Sequence, residues 1–209
     1  MSTTLFHFPG ACSLASHIVL EELGEPYEAV KIDVLAGEQN QPGYRAINPH
    51  GKVPALATDQ GVLTESPAIL AYLADRRPEL GLLPADPFTR ARALSTMAWL
   101  SSSVHPCFAR IWRPGLSTDE TAAWPDMKAK AEAQLHEHFA ELDHRLDGAI
   151  WLFDHFTVVD PYVLVMRRWG SRIGFDMDAF PHLVAHSRRV AARPSAERVL
   201  AREGVRIDG

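Results

Sequence analysis

Cysteine is scarce in this chain: there are two in 209 residues, Cys12 and Cys107. Such a count gives no disulfide framework, and both read as free thiols in a reducing compartment. Basic excess is missing too. Against 26 acidic residues stand 21 lysines and arginines, a net charge of −5. A nucleic-acid partner usually demands the opposite balance, so none is expected. No apolar run approaches the length of a membrane span. The break at Phe8-Pro9-Gly10 comes too early for the apolar core of a secretory signal. The expectation is a cytoplasmic protein with no membrane partner. Internal repeats and low-complexity tracts are also lacking.

What is there suits a folded globular chain, with 46% hydrophobic and 22% charged residues. The length allows one large domain or two small ones. Charge divides the chain unevenly. Residues 1–80 hold ten acidic and five basic residues, and residues 81–209 hold sixteen of each. This points to two units of different character, the first with an acidic, solvated face.

The hydrophobic pattern separates the same two units. Thr4 to Phe8 reads as a strand ended by Pro9-Gly10. Leu14, Ile18 and Leu23 then recur at helical spacing, and Gly24 closes that helix. Tyr27 to Ile32 reads as a second strand. Asn48 to Gly51 is a turn cluster, followed by strands at Val53–Ala57 and Gly61–Leu63 around a turn at Asp59-Gln60. Glu65 to Asp75 reads as a helix. The order β-α-β-α-β-β-α predicts helices packed on a small mixed sheet. After the proline-containing stretch from Arg76 to Asp86, every pattern is helical. Asp86-Pro87 starts one segment, read as continuous from Phe88 to Val104. Ser117-Thr118-Asp119-Glu120 has the form of a capping box opening a segment to Leu146. Thr157-Val158-Val159-Asp160 has a related form, opening a segment to about Gly174. Pro181–Ala192 and Pro194–Arg202 complete the set.

Three short pieces carry chemistry. In Pro9-Gly10-Ala11-Cys12-Ser13 a thiol sits where a strand has ended and a helix begins. The partial positive charge of a helix N-terminus favours thiolate, so a lowered Cys12 pKa is expected; the alternative is a buried structural cysteine. Ala15 stands three residues on, which excludes a Cys-x-x-Cys pair. Val53-Pro54 suits a strand end, or a cis turn whose preceding backbone faces a ligand. In Glu65-Ser66-Pro67 the helix-start amides and the Ser66 hydroxyl suit a carboxylate, with Glu65 beside them for an ammonium group; a plain helix cap is the simpler reading.

These pieces, in this order, resemble the cytosolic glutathione S-transferases, in particular the bacterial beta class. The resemblance rests on residues 9–13, on Ile-Asn-Pro-His-Gly-Lys-Val-Pro-Ala-Leu at 47–56, on Leu-Thr-Glu-Ser-Pro-Ala-Ile-Leu-Ala-Tyr-Leu-Ala-Asp at 63–75 and on Phe-Thr-Val-Val-Asp-Pro-Tyr at 156–162. It implies a thioredoxin-like, glutathione-binding domain at 1–77 and an all-helical domain at 86–209 lining an electrophile pocket. It further implies that Cys12, Ser13 and His105 are catalytic and that Val53, a cis Pro54, Glu65 and Ser66 hold glutathione. Phe108, Trp112 and Trp169 would line the pocket. Thr157 and Asp160 would serve folding, and the chain would be a homodimer with no metal. Departures are visible. Pro106 follows the histidine where the class often has lysine, and Ala98 stands where it often has asparagine. No basic residue lies between Lys31 and Arg45 to meet the glycine carboxylate.

The leading functional expectation is conjugation of the glutathione thiolate to a small hydrophobic electrophile, a detoxification chemistry, with helix dipoles, Ser13 and His105 stabilising the anion. The alternatives are thiol–disulfide exchange through a Cys12 mixed disulfide and a non-catalytic ligand-binding protein. His182 and His186 share a helical spacing that can hold metal. They are read as solvated, as are His136, His138 and His144. The arginines from Arg188 to Arg206, interrupted by Glu197 and Glu203, read as a charged helix face.

Overall fold

Four short strands form one sheet in the computed structural model, which describes residues 3–208. They are β1 (Thr4–His7), β2 (Glu28–Lys31), β3 (Ala55–Thr58) and β4 (Gly61–Thr64), in the spatial order β2-β1-β3-β4. β1 runs parallel to β2, Leu5 facing Ala29, and antiparallel to β3, Leu5 facing Leu56. β3 and β4 form the expected hairpin. Its turn is held by Thr58, whose Oγ1 accepts from Gln60 N at 3.1 Å. Along β1 the side chains alternate. Leu5 and His7 are buried on the face covered by helix α1 (Ser13–Leu23), while Phe6 points to the other face and meets Tyr44 at 5.8 Å. α1 ends where expected, on Gly24 at φ 67°. Two more helices complete this half: α2 (Pro42–Arg45) and α3 (Ser66–Arg76). The third strand is shorter than its sequence pattern. Val53-Pro54 is a cis peptide just outside it, because proline has no N–H to give the ladder.

Six helices follow: α4 (Pro87–Trp99), α5 (His105–Trp112), α6 (Trp124–Arg145), α7 (Val159–Arg172), α8 (Pro181–Ala191) and α9 (Pro194–Glu203). Together with the sheet they make a thioredoxin-like N-terminal part followed by an all-α part. α4 begins as predicted, with the Asp86 carboxylate accepting from Thr89 N at 2.8 Å. The single segment expected from Phe88 to Val104 is instead broken by a π-turn at Leu100–Val104, where His105 N donates to Leu100 O. Pro106 explains the break. It lacks an N–H and its ring crowds the preceding turn, so the α-helical ladder cannot run through it unchanged. α6 also starts later than expected. Glu120 N donates to Thr118 Oγ1 in a local turn, and Pro125 sits in the first turn of the helix. A helix begun near Ser117 would have carried that proline in its interior.

α7 is the central post. Every residue from Val159 to Gly170 is buried, and α1, α4 and α8 pack around it. Each fully buried valine or leucine there contributes about 1.5–3 kcal/mol of transfer free energy. Its start uses the predicted cap, with Thr157 N and Oγ1 donating to Asp160 Oδ2 at 2.7 and 3.0 Å. The other Asp160 oxygen lies 2.8 Å from His186 Nε2. His186 is therefore fully buried against a carboxylate and not solvated as its sequence context suggests; His182 is half-exposed. His136 and His144 are exposed and His138 is partly buried.

The arginines of α9 are not a free charged face. Arg198 and Arg202 reach Glu21 on α1 at 2.6 and 3.2 Å, and Arg193 and Ser195 engage Glu22. Part of the acidic excess of the first unit is thus spent on the second. Among the described residues no helix is long and apolar enough to cross a membrane.

Candidate active site

Cys12 stands at the N-terminal boundary of α1, in the loop that leaves β1, makes no side-chain capping hydrogen bond and is 8% exposed. Its Sγ donates to Val53 O at 3.3 Å, which joins the loop to the turn before β3. That turn is itself pinned, since Tyr44 Oη and Asn48 Nδ2 both donate to Lys52 O at 2.7 Å. Burial pushes the Cys12 thiol up to about 11, against the pull of the Ser66 hydroxyl and of the amides of Cys12 and Ser13. The Glu65 carboxylate adds to the rise. The lowered pKa expected from the helix start is not found. Dehydrating the sulfur outweighs the dipole, and the Val53 carbonyl rewards the protonated form.

Ser13 does not face the thiol. It is fully buried, accepting from Phe8 N and donating to Phe8 O, both at 3.2 Å. Its hydroxyl staples the loop and is not placed to stabilise a sulfur anion. Glu65 and Ser66 lie where β4 turns into α3. Glu65 has φ 67° and ψ 119°, an uncommon region for a residue with a side chain. Ser66 is buried and Glu65 exposed.

His105 opens α5, set there by the π-turn. Its ring meets Trp169 edge-on at 4.8 Å, and Trp169 meets Phe108 and Trp112 at 5.3 and 5.2 Å. The four predicted aromatic residues are therefore one cluster, but they are not equally available. Trp112 is 42% exposed, whereas Phe108 is fully buried and Trp169 nearly so. Phe108 backs the cluster and does not line an open surface. Trp169 Nε1 is occupied, donating to Gly10 O at 2.9 Å. Burial pushes the His105 imidazole down to about 4, helped by the charges of Arg113 and Lys52. At neutral pH it is an uncharged donor or acceptor.

Other residues at the site have no role assigned to them from the sequence. Tyr162 of α7 is buried, and its phenol is raised by burial and by the Cys12 charge, while the hydroxyls of Ser101 and Ser66 oppose the rise. Gly10, at φ 69°, is held from three sides. Its N–H donates to Glu203 Oε2 at 2.8 Å, and its carbonyl accepts from Trp169 and from Arg168 Nη1 at 3.1 Å. A Cβ on Gly10 would stand 2.6 Å from Arg168 Nη1. Glu203, far from solvent, also faces His17 Nδ1 at 2.7 Å and His7 Nδ1 at 3.2 Å. Burial works to raise its pKa. The two imidazoles and the Gly10 N–H win and hold the carboxyl down at about 2.

A thioredoxin-like half carrying a buried thiol beside a Val-cis-Pro turn, joined to a helical half that supplies a histidine and tryptophans, defines a glutathione-transferase fold. Residues 1–75 match the family described as Glutathione S-transferase, N-terminal domain. Over 206 residues the chain is 34% identical to the glutathione S-transferase GstA of Escherichia coli O157:H7, covering 97% of this chain and 99% of that one. The chain belongs to the glutathione S-transferase family and is a glutathione transferase. Among solved structures, a sphingomonad glutathione S-transferase complexed with glutathione superposes with a TM-score of 0.85 at 40% identity, over 97% of this chain and all of the other. A maleylacetoacetate isomerase of Rhizobium meliloti is 32% identical over 204 residues, 92% of each chain.

Proposed function

We propose that the chain binds glutathione along Cys12, Val53, Pro54, Glu65 and Ser66 and conjugates its thiolate to a small hydrophobic electrophile. The part at 1–77 holds the tripeptide and the part at 86–209 supplies the second pocket. The observation that carries the proposal is the convergence at Cys12: one buried thiol touches the Val53 carbonyl and has the start of α3 beside it. With burial pushing its thiol up to about 11, Cys12 is protonated at pH 7. Cys12 is accordingly neutral, and when glutathione binds its S–H turns from the Val53 carbonyl to the glutathione sulfur, which is the nucleophile. An S–H aimed at a developing thiolate stabilises it where charge appears, with no reorganisation. The neutral His105 serves as a second hydrogen-bond partner, and Trp112 offers the apolar surface for the electrophile.

The same protonation state weighs against thiol–disulfide exchange through Cys12, which needs the thiolate. A different reading has support. One relative at 32% identity is named an isomerase, and a thiolate that adds reversibly to a conjugated double bond isomerises its substrate. The cations Lys52 and Arg113, close enough to depress the His105 pKa, would suit a carboxylate-bearing substrate. We place the protein in the cytoplasm, where both thiols stay reduced, and as a homodimer, for which the 75% exposed Phe88 of α4 offers apolar surface.

Calorimetric titration with glutathione tests the core of the proposal. Wild type should bind, and Cys12→Ala should still bind while losing turnover in an assay across conjugation and isomerisation substrates. Absence of binding by the reduced wild-type protein would refute it.

A further inference from the structure

Behind the loop that carries Cys12, three side chains converge that the transfer reaction does not use. His7 comes from β1, His17 from α1 and Glu203 from the end of α9. Their ligand atoms lie within 4.8 Å of one another, and all three side chains are at most 9% exposed. Glu203 Oε1 is shared by both imidazoles through their Nδ1 atoms, at 3.2 and 2.7 Å. From this geometry we propose that His7, His17 and Glu203 bind a single divalent cation of the zinc type, tying the first strand and helix to the last helix.

The hydrogen-bond pattern favours a cation over a purely polar cluster. His7 Nδ1 is buried and, although 3.2 Å from the carboxylate, makes no well-aligned hydrogen bond to it. Among the described residues the direct ion-pair contacts of Glu203 are these two imidazoles alone, and they carry charge only when protonated. Arg168 approaches, but its Nη1 is given to Gly10 O and its Nε to Arg206 O.

The donor set fits. Two imidazole nitrogens and one carboxylate oxygen are borderline ligands suited to zinc, and three protein ligands leave one position open. With ligands about 2.0–2.2 Å from the metal, tetrahedral donors stand about 3.4 Å apart. The His7 pair, at 3.2 Å, is already near that spacing, and the His17 pair, at 2.7 Å, opens by about 0.7 Å as its hydrogen bond gives way to metal ligation. The proton on His17 moves from Nδ1 to Nε2, so the ring stays neutral and Nδ1 is free to bind. The second carboxylate oxygen is oriented by Gly10 N–H, the kind of outer contact that fixes a metal ligand.

The test uses the full chain, reduced and stripped with a chelator, then equilibrated with zinc or cobalt(II) chloride and passed through a desalting column. We expect one zinc per chain by elemental analysis and a cobalt visible spectrum of tetrahedral intensity. Glu203→Gln and His7→Gln should each weaken zinc binding at least tenfold. Cys12→Ser and His182→Gln should keep it, which separates this site from the thiol and from surface histidines. Wild type that retains well under one metal per chain, or a stoichiometry unchanged in both Glu203→Gln and His7→Gln, would overturn the proposal. The cobalt spectrum of wild type decides the matter even if a variant fails to fold.

Discussion

Two buried carboxylates, Asp160 and Glu203, solve the same electrostatic problem in opposite ways. Asp160 opens α7 and gathers nearly all its partners from nearby chain: Thr157 N, Thr157 Oγ1 and Leu152 N, with His186 arriving from α8. Glu203 ends α9 and takes every side-chain partner from the first seventeen residues: Gly10, His7 and His17. The first carboxylate sits inside the helical half and specifies how one helix starts. The second crosses between the halves and holds the loop that presents Cys12. Loss of Asp160 should therefore be felt as stability alone, and loss of Glu203 as stability and function together.

The comparison is broken most forcefully at Asp160. Asp160→Ala leaves two backbone N–H groups, a hydroxyl and an imidazole buried without their acceptor. Removing one member of a buried charged network costs about 3–5 kcal/mol. Urea unfolding should show that loss, while the folded fraction keeps the wild-type KM for glutathione. A raised KM in fully folded variant would mean that Asp160 also shapes the site.

Glu203→Gln comes next, at about 2–3 kcal/mol, since the amide can still accept from Gly10 N–H. Here KM for glutathione should rise as well. The pH dependence separates the variant from wild type. The Glu203 carboxyl is held at about 2 in the folded protein against 4.5 as its ordinary value. The unfolded chain therefore takes up the proton first as pH falls. The stabilisation is present above pH 4.5 and disappears as pH drops through 2. Unfolding free energy plotted from pH 5 to 2 should be flatter in Glu203→Gln. Equal slopes would show that other carboxylates dominate acid unfolding.

The same pair explains what could be read from the sequence. Asp160 was legible because a cap is written in four consecutive residues. So were β1–α1, the β3–β4 hairpin and the start of α4, each specified by a local turn or cap. Cys12, Val53 and Ser66 could be marked as a site because each sits at the start or end of an element. Glu203 looked like one charge among many on an arginine-rich helix, since nothing near it in the chain needs a buried carboxylate. Its partners lie 186 and 193 residues away. His186 reads as solvated for the same reason, and Tyr162 closes the segment at 156–162 without revealing that its phenol is buried at the site. The Cys12 pKa had the wrong sign because a helix start shows in sequence, whereas the depth of burial depends on packing from α7 and β3. Pro106 and Pro125 could have corrected the reading of α5 and α6, since a proline N–H is missing in any fold.

Gly10 is the hinge of the comparison, because it is the residue through which Glu203 reaches the active-site loop. Gly10→Ala puts a Cβ into a left-handed backbone conformation and against the Arg168 guanidinium. The backbone conformation alone costs about 1–2 kcal/mol, and the arginine must shift in addition. The expected result is a modest fall in thermal stability with a severalfold weaker glutathione affinity in calorimetry. Unchanged affinity would show that the loop holds its shape without this anchor.

The smallest effect is the most specific to the chemistry. Alkylation of Cys12 by iodoacetamide follows the thiolate, so in wild type its rate should climb with pH toward a midpoint near 11. Cys107 serves as the internal control, read separately by peptide mass. Its thiol is also raised by burial, but its hydrogen-bond partners are Ser103 O and Gln134 Oε1. If Glu203 and Arg168 keep the loop closed over Cys12, Gly10→Ala should hydrate the sulfur and bring its midpoint down toward the ordinary value of 9. Cys107 should not move. A Cys12 midpoint unchanged in the variant would assign the high pKa to the Val53 contact and the packing of α7, and would separate the buried thiol from the carboxylate behind it.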